Sequence, residues 1–253
     1  MKELIINKLE EIEKSNGFKI LLACETGSRA WGFPSPDSDY DVRFIYVHDP
    51  DWYLSLKSPK DTFELPINDE LDITGWEFRK SLGLLWKSNA PLLERIQSPI
   101  IYKVDSNFHN EINRLSEKHF SPIAAMHHYL SMSKKYFDAC MYESEIKLKK
   151  YFYAIRTAIA GAWIREMGTT PHIEMSKMMS IVDKEVKEKI DSLIALKAAK
   201  NESYLHVREP LIDDFLRDVI SKNEEVANNL PSAKGDMEEL DSFYRKIVKG
   251  AEV

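Results

Sequence analysis

Two acids inside an otherwise apolar strand restrict most what this chain can become. Residues 39–47 alternate Asp39, Asp41 and Arg43 against Tyr40, Val42 and Phe44, the period-2 pattern of a strand with one polar face. Alternate strand residues project from the same side, so the Asp39 and Asp41 carboxylates lie next to each other. Like charges that close repel and raise each other's pKa unless a cation lies between them. Oxygen-only ligands of this density select a hard ion, Mg²⁺ first and Mn²⁺ second. Turn chemistry in Ser-Pro-Asp-Ser accounts for Asp37. It does not account for two acids alternating within a strand.

The residues before the acids fit the same chemistry. Residues 18–24 (Phe-Lys-Ile-Leu-Leu-Ala-Cys) read as a buried strand, and a loop rich in Gly, Ser, Pro and Asp spans 27–38. Its Gly27-Ser28 turn can offer backbone N–H groups and a hydroxyl to phosphate oxygens, above all if it opens a helix. Arg29, next in the chain, is a further candidate for a phosphate contact. Two rival motifs fail. Asp37, Asp39 and Asp41 match the opening ligands of an EF-hand loop, but its sixth and twelfth positions, glycine and glutamate, are here Val42 and His48. No glycine-rich run ends in Gly-Lys-Ser/Thr, which excludes a P-loop.

The periodicity predicts a first helix over 3–15, short strands over 62–65 and 70–76, helices over 77–87 and 91–97, and a strand over 99–104. From 107 onward nearly every segment has helical period. Strands and helices without regular βαβ alternation imply an α+β fold with a mixed sheet, followed by a helical bundle. The expected boundary lies near 120, giving a catalytic domain over 1–120 and a helical domain over 121–253. Residues 226–237 read as a linker.

Composition sets the outer limits. A net charge of −6 argues against coating nucleic acid by bulk electrostatics. Between residues 131 and 165, however, seven Lys/Arg face three Asp/Glu, a local excess that suits a small polyanion such as a triphosphate. No run of about 18 apolar residues is present, and the first residues lack a signal peptide's apolar core. Cys24 and Cys140 are the two cysteines, far apart and without metal-ligand neighbours. Unpaired thiols and a cytoplasmic location with no membrane partner are the expectation.

Gly27-Ser28, ten intervening residues and Asp39-Tyr40-Asp41 resemble the signature of the DNA polymerase β nucleotidyltransferase superfamily. That resemblance implies a third carboxylate from a later strand, flanked by apolar residues. Leu71-Asp72-Ile73 fits, and so does Phe63-Glu64-Leu65. Asp72 is preferred, because residues 71–80 (Leu-Asp-Ile-Thr-Gly-Trp-Glu-Phe-Arg-Lys) resemble a narrower family, the nucleotidyltransferases associated with RNA repair and RNA ligase. This resemblance continues through 87–94, 98–102 and 149–156, and covers residues 18–180.

It implies a metal-dependent nucleotidyltransferase. Asp39, Asp41 and Asp72 would hold Mg²⁺ or Mn²⁺ and carry the catalysis, and an NTP would lose pyrophosphate as its nucleoside monophosphate passes to an acceptor hydroxyl. Gly27, Ser28 and Arg29 would bind the nucleotide. On an ideal helix Lys149, Tyr153 and Arg156 fall within about 60° of one another, and with Lys150 beside them they are expected to bind the triphosphate as the helical domain closes over it. An RNA 3′ end is the favoured acceptor. A protein or small-molecule hydroxyl, and a nucleotide sensor without turnover, are the alternatives. The oligomeric state is not legible.

Overall fold

The computed structural model describes residues 1–56, 59–65, 70–233 and 235–250. The chain folds into two compact units. One comprises Met1–Gly27, Asp39–His119 and the C-terminal segment that carries the helix Met237–Lys249; the other comprises Ser28–Ser38 and Phe120–Ala233.

The first unit is built on a mixed five-stranded sheet of β1 (Lys19–Glu25), β2 (Tyr40–Val47), β3 (Thr62–Glu64), β4 (Leu71–Glu77) and β5 (Ile101–Val104), in the order β3-β4-β2-β1-β5. The β2–β4 pair is parallel and the other pairs are antiparallel. Alternation assigns the two faces. Ala23, Val42, Phe44 and Ile73 pack with Ile5, Leu9 and Ile12 of the helix Lys2–Asn16, which ends at Gly17 in the left-handed conformation. Leu22, Ile45 and Val47 pack on the other side with Phe78, Leu92, Phe108 and Phe243. These come from the helices Phe78–Trp86, Ala90–Gln97, Ser106–Lys118 and Met237–Lys249. All four start at side-chain caps: Glu77 accepts from the Lys80 amide, Asn89 from Leu92, Asp105 from Asn107 and Phe108, and Asp236 from Glu238. The expected α+β architecture is present.

The second unit holds the helices Pro122–Met141, Leu148–Met167, Lys184–Ala198 and Pro210–Ala227. Leu148–Met167 is buried along most of its circumference, as a central helix is. At Gly161 a Cβ would stand 2.4 Å from Asn223 Nδ2, so only glycine admits the neighbouring helix this closely. The Asn223 amide donates across that contact to the Ala158 carbonyl at 3.1 Å.

The structure adds detail that the sequence pattern does not carry. Each unit is discontinuous in the chain. Leu240, Phe243 and Val248 bury the last helix in the first unit's core, and Phe33, stacked on Phe152 at 4.9 Å, anchors residues 28–38 in the second unit. The helical half also contains a two-stranded antiparallel sheet, β6 (Glu145–Lys147) with β7 (Leu205–Val207). Three-residue strands are too short to leave a period. Finally, Gly27–Trp31 is a short helix where a loop was expected, and the 226–237 stretch is tied down in part by the Ile123 amide, which donates to Pro231 O at 3.2 Å.

Candidate active site

Parallel pairing of β2 with β4 sets Asp41 opposite Asp72 and Arg43 opposite Thr74. Val42, Phe44 and Ile73 enter the core on the far side, so Asp41, Arg43 and Asp72 share the polar face. One Arg43 nitrogen joins the two acids, at 3.0 Å from Asp41 Oδ1 and 2.6 Å from Asp72 Oδ2. Its other terminal nitrogen donates to the backbone carbonyls of Asp72 at 2.9 Å and Val42 at 3.1 Å. The guanidinium is thus the cation between two carboxylates that like-charge repulsion requires. Asp72 Oδ1 is buried with no hydrogen-bond partner.

The backbone at the head of β2 is held from β1. The Asp41 amide donates to Glu25 Oε1 at 2.7 Å, and the Asp41 carbonyl accepts from the Thr26 amide at 2.9 Å. Glu25 is fully buried and is held by the Tyr102 hydroxyl and, through its carbonyl, by Ser98 Oγ at 2.6 Å. Gly27 approaches so closely that a Cβ there would lie 2.1 Å from Asp41 Oδ2, and its φ of +64° adds a second reason for glycine.

Asp39 lies immediately before β2 and is half-buried. Among the described residues, no three acidic, histidine or cysteine side chains gather closely enough to hold an ion. Asp41 and Asp72 are therefore brought together, and Asp39 does not complete a three-acid group with them. Glu64 is exposed on β3 opposite Thr74.

Beneath this face Arg95 is 5% exposed, with its guanidinium carbon 3.3 Å from the centre of the Trp76 ring and Nη1 unpartnered. Burial pushes its pKa down to about 9, with Cys24 and Asp72 acting in the opposite sense. Cys24, whose thiol donates to the Arg95 carbonyl at 3.3 Å, is itself pushed up to about 12 by burial. Cys24 and Cys140 are both free.

In the second unit Ser28 is buried, and its hydroxyl donates to Ser38 Oγ at 3.1 Å. Arg29 braces the same loop by donating to the Ser38 carbonyl at 2.6 Å. Lys149 pairs with Glu202 Oε2 at 2.7 Å, and Lys150 is exposed. The Tyr153 ring meets Trp31 edge-on at 5.2 Å and Tyr136 at 4.9 Å. Arg156 corrects the expected open face. It is 2% exposed, its guanidinium carbon is 4.6 Å from the Trp31 ring centre, and both Nε and Nη2 donate to the Ile173 carbonyl at 3.3 Å. The helical-wheel reading treats one side of a helix as open, whereas this helix is packed on nearly every side.

Residues 1–246 match the model of the RNA repair pathway DNA polymerase beta family. The chain belongs to that family. It is similar to the uncharacterized protein YcgL of Bacillus subtilis (strain 168), at 41% identity over 239 residues, which is 94% of this chain and 92% of that protein. A nucleotidyltransferase-like protein from Exiguobacterium sibiricum 255-15 is a distant structural neighbour. It has 9% identity and a TM-score of 0.34, with 97% of this chain and 80% of that chain covered.

The RNA repair pathway polymerase beta family implies a divalent cation. Two candidate ligands for one are in place, since Asp41 and Asp72 are in register on one face and the buried Asp72 Oδ1 has no hydrogen-bond partner, and among the described residues no third acid stands with them. Ion entry at these oxygens requires Arg43 to move, because its guanidinium fills the space between them. Arg43, Glu25 and Arg95, which surround Asp41 and Asp72, are absent from the sequence-predicted site. Arg43 had a signal, since it continues the Asp39, Asp41 alternation. Glu25 was marked as an acid directly after an apolar strand. Arg95 left none, because its neighbours Trp76 and Cys24 come from other parts of the chain.

Proposed function

We propose that this protein is a metal-dependent nucleotidyltransferase that moves a nucleoside monophosphate from an NTP to an RNA 3′ hydroxyl, releasing pyrophosphate. The observation that carries the reading is the register of Asp41 with Asp72 on adjacent parallel strands, with Gly27 pressed against Asp41. Asp41 and Asp72, with Asp39 joining them, would hold Mg²⁺ or Mn²⁺. A bound divalent ion lowers the pKa of the acceptor hydroxyl and offsets charge on the triphosphate.

The chain's own groups supply the rest. Asp72 would accept the acceptor's proton at its carboxylate. Gly27 keeps the Asp41 carboxylate accessible, since any side chain there would collide with it. Glu25 and Thr26 fix the backbone at Asp41, so the acid does not reorganise as charge develops. Ser28 and Lys149 bind phosphate oxygens, with Arg29 setting the shape of the loop. Arg156 acts by orienting Trp31, and Tyr153 packs beside it.

An RNA acceptor is supported by membership of a polymerase beta family of the RNA repair pathway. Two buried free thiols agree with a cytoplasmic setting, and among the described residues no helix is long and apolar enough to cross a membrane. The test is incubation of an RNA with a free 3′ hydroxyl, each labelled NTP in turn, and Mg²⁺ or Mn²⁺. Stable label on the RNA with equimolar pyrophosphate is the expected result. Label on the protein itself or on a small hydroxyl compound, with none on RNA, would overturn the acceptor. No pyrophosphate with any acceptor would overturn the reaction.

A further inference from the structure

The segment that follows the helix Lys184–Ala198 carries an arrangement that the reaction above does not use. Glu202 places one carboxylate oxygen on the Ser38 hydroxyl at 3.1 Å and the other on the Lys149 ammonium at 2.7 Å. Ser38 Oγ also receives the Ser28 hydroxyl at 3.1 Å and the Ser35 amide at 2.9 Å. The Glu202 amide in turn donates to both oxygens of Asp37, at 2.9 and 3.1 Å. An acid from a distant part of the chain therefore lies on the Gly-Ser loop and on the lysine that sequence chemistry assigns to phosphate.

A second lysine adds to this. Lys197 is 2% exposed, and among the described residues its hydrogen-bond partner is the Ser35 hydroxyl at 2.8 Å. Ammonium groups are almost never fully buried without an anion, and a serine hydroxyl satisfies only one of three donors. Burial lowers the Lys197 pKa, while Glu202 and Asp37 act to raise it and Lys149 to lower it further. Lys149, Lys197 and the Ser28, Ser35 and Ser38 hydroxyls form one cluster of donors within the second unit, linked through Ser38 and Glu202. A carboxylate and a phosphate both present acceptor oxygens to such donors, and charge-assisted bonds make the two interchangeable as partners.

We propose that Glu202 is an internal anion that holds the place of a ligand polyphosphate, and that Lys197 is a polyphosphate-binding residue uncovered when it leaves. The proposal rests on the nucleotidyltransferase reading and deepens it. Asn201 and Ser203 on either side of Glu202 are exposed, and the segment belongs to neither the preceding helix nor β7. A phosphate chain compensates the lost contacts by taking over Ser38 and Lys149 and adding Lys197. Ligands lacking an extended phosphate chain cannot reach all of these donors, so the device discriminates for NTPs over nucleosides and monophosphates.

The test is calorimetric titration of the full chain with inorganic tripolyphosphate without metal, and separately with ATP and Mg²⁺. Glu202→Gln keeps the size of the side chain and removes its charge. It is expected to bind tripolyphosphate about tenfold tighter than the parent, the effect of removing one charge-assisted competitor. Lys197→Met is expected to bind about tenfold more weakly by the same reasoning. Thermal melts accompany both variants. Because Lys197 is buried, its variant is read only if it melts cooperatively; Glu202→Gln decides the matter alone if it does not. Unchanged or weaker tripolyphosphate binding in Glu202→Gln, with ATP·Mg²⁺ still bound by the parent, overturns the internal-anion role and leaves the enzyme reading standing. Failure of the parent to bind either ligand overturns both.

Discussion

Arg43 reaches Asp72 Oδ2 at 2.6 Å while the other oxygen of the same carboxylate, Oδ1, is buried without a partner. One oxygen of this acid is paired from within the chain and the other has no hydrogen-bond partner. The same guanidinium nitrogen touches Asp41 Oδ1 at 3.0 Å, so a single side chain holds the two like charges together. The arginine is both a structural brace and a competitor for any cation that approaches.

Removing that brace should expose the competition. Arg43→Ala is expected to lower stability in metal-free buffer by about 1–3 kcal/mol, since it leaves two partly buried carboxylates facing each other. Mn²⁺ should then raise the melting temperature of the variant more than that of the parent. A variant that melts like the parent and ignores Mn²⁺ would show that Arg43 neither balances the acids nor opposes an ion.

The two candidates for the third carboxylate differ in geometry, and their variants should differ in kinetics. Asp41→Asn and Asp72→Asn are expected to slow pyrophosphate release at least about a hundredfold, equivalent to about 2.7 kcal/mol in the barrier. Glu64→Gln, altering an exposed residue on the edge strand, should stay within about twofold of the parent, as surface substitutions usually do. Loss of activity in Glu64→Gln with retention in Asp72→Asn would reassign the acid.

Arg156 is buried between Trp31 and the Ile173 carbonyl, so its loss should be felt in folding. Arg156→Ala is expected to cost about 1–3 kcal/mol of stability, chiefly by leaving that carbonyl unsatisfied. Nucleotide affinity should fall less in Arg156→Ala than in Lys149→Ala. Calorimetry beside thermal melts separates the two, and a normal melt with strongly reduced affinity would return Arg156 to the nucleotide.

The C-terminal helix should respond to acid through Glu239. Hydrogen bonds from Lys118 and then Arg114 pull its pKa from 4.5 down to about 2. A carboxyl group depressed in the folded state contributes stability above its unfolded pKa and loses it as pH falls toward the folded value. Melting temperature should therefore drop between pH 4.5 and 2 more steeply in the parent than in Glu239→Gln. Parallel curves would mean that these surface contacts contribute nothing to holding the last helix.

The sequence by itself determined the polar face of β2 and the strand-and-helix order around it. Period-2 alternation and helix caps are local properties, set by residues within a few positions of each other. Asp39, Asp41 and the Gly27-Ser28 turn were legible for that reason, and Asp72 became so through flanking apolar residues. Only the tertiary structure decided which acids meet, because the pairing of β2 with β4 joins positions 31 residues apart, Asp41 with Asp72. It also turned Arg156 inward, since a helix buried along most of its circumference has no single open side for spacing to reveal. Lys197 and Glu202 gain their surroundings from a loop more than 160 residues earlier. Contacts across that separation follow from how the core packs, and leave no trace in the pattern of neighbouring residues.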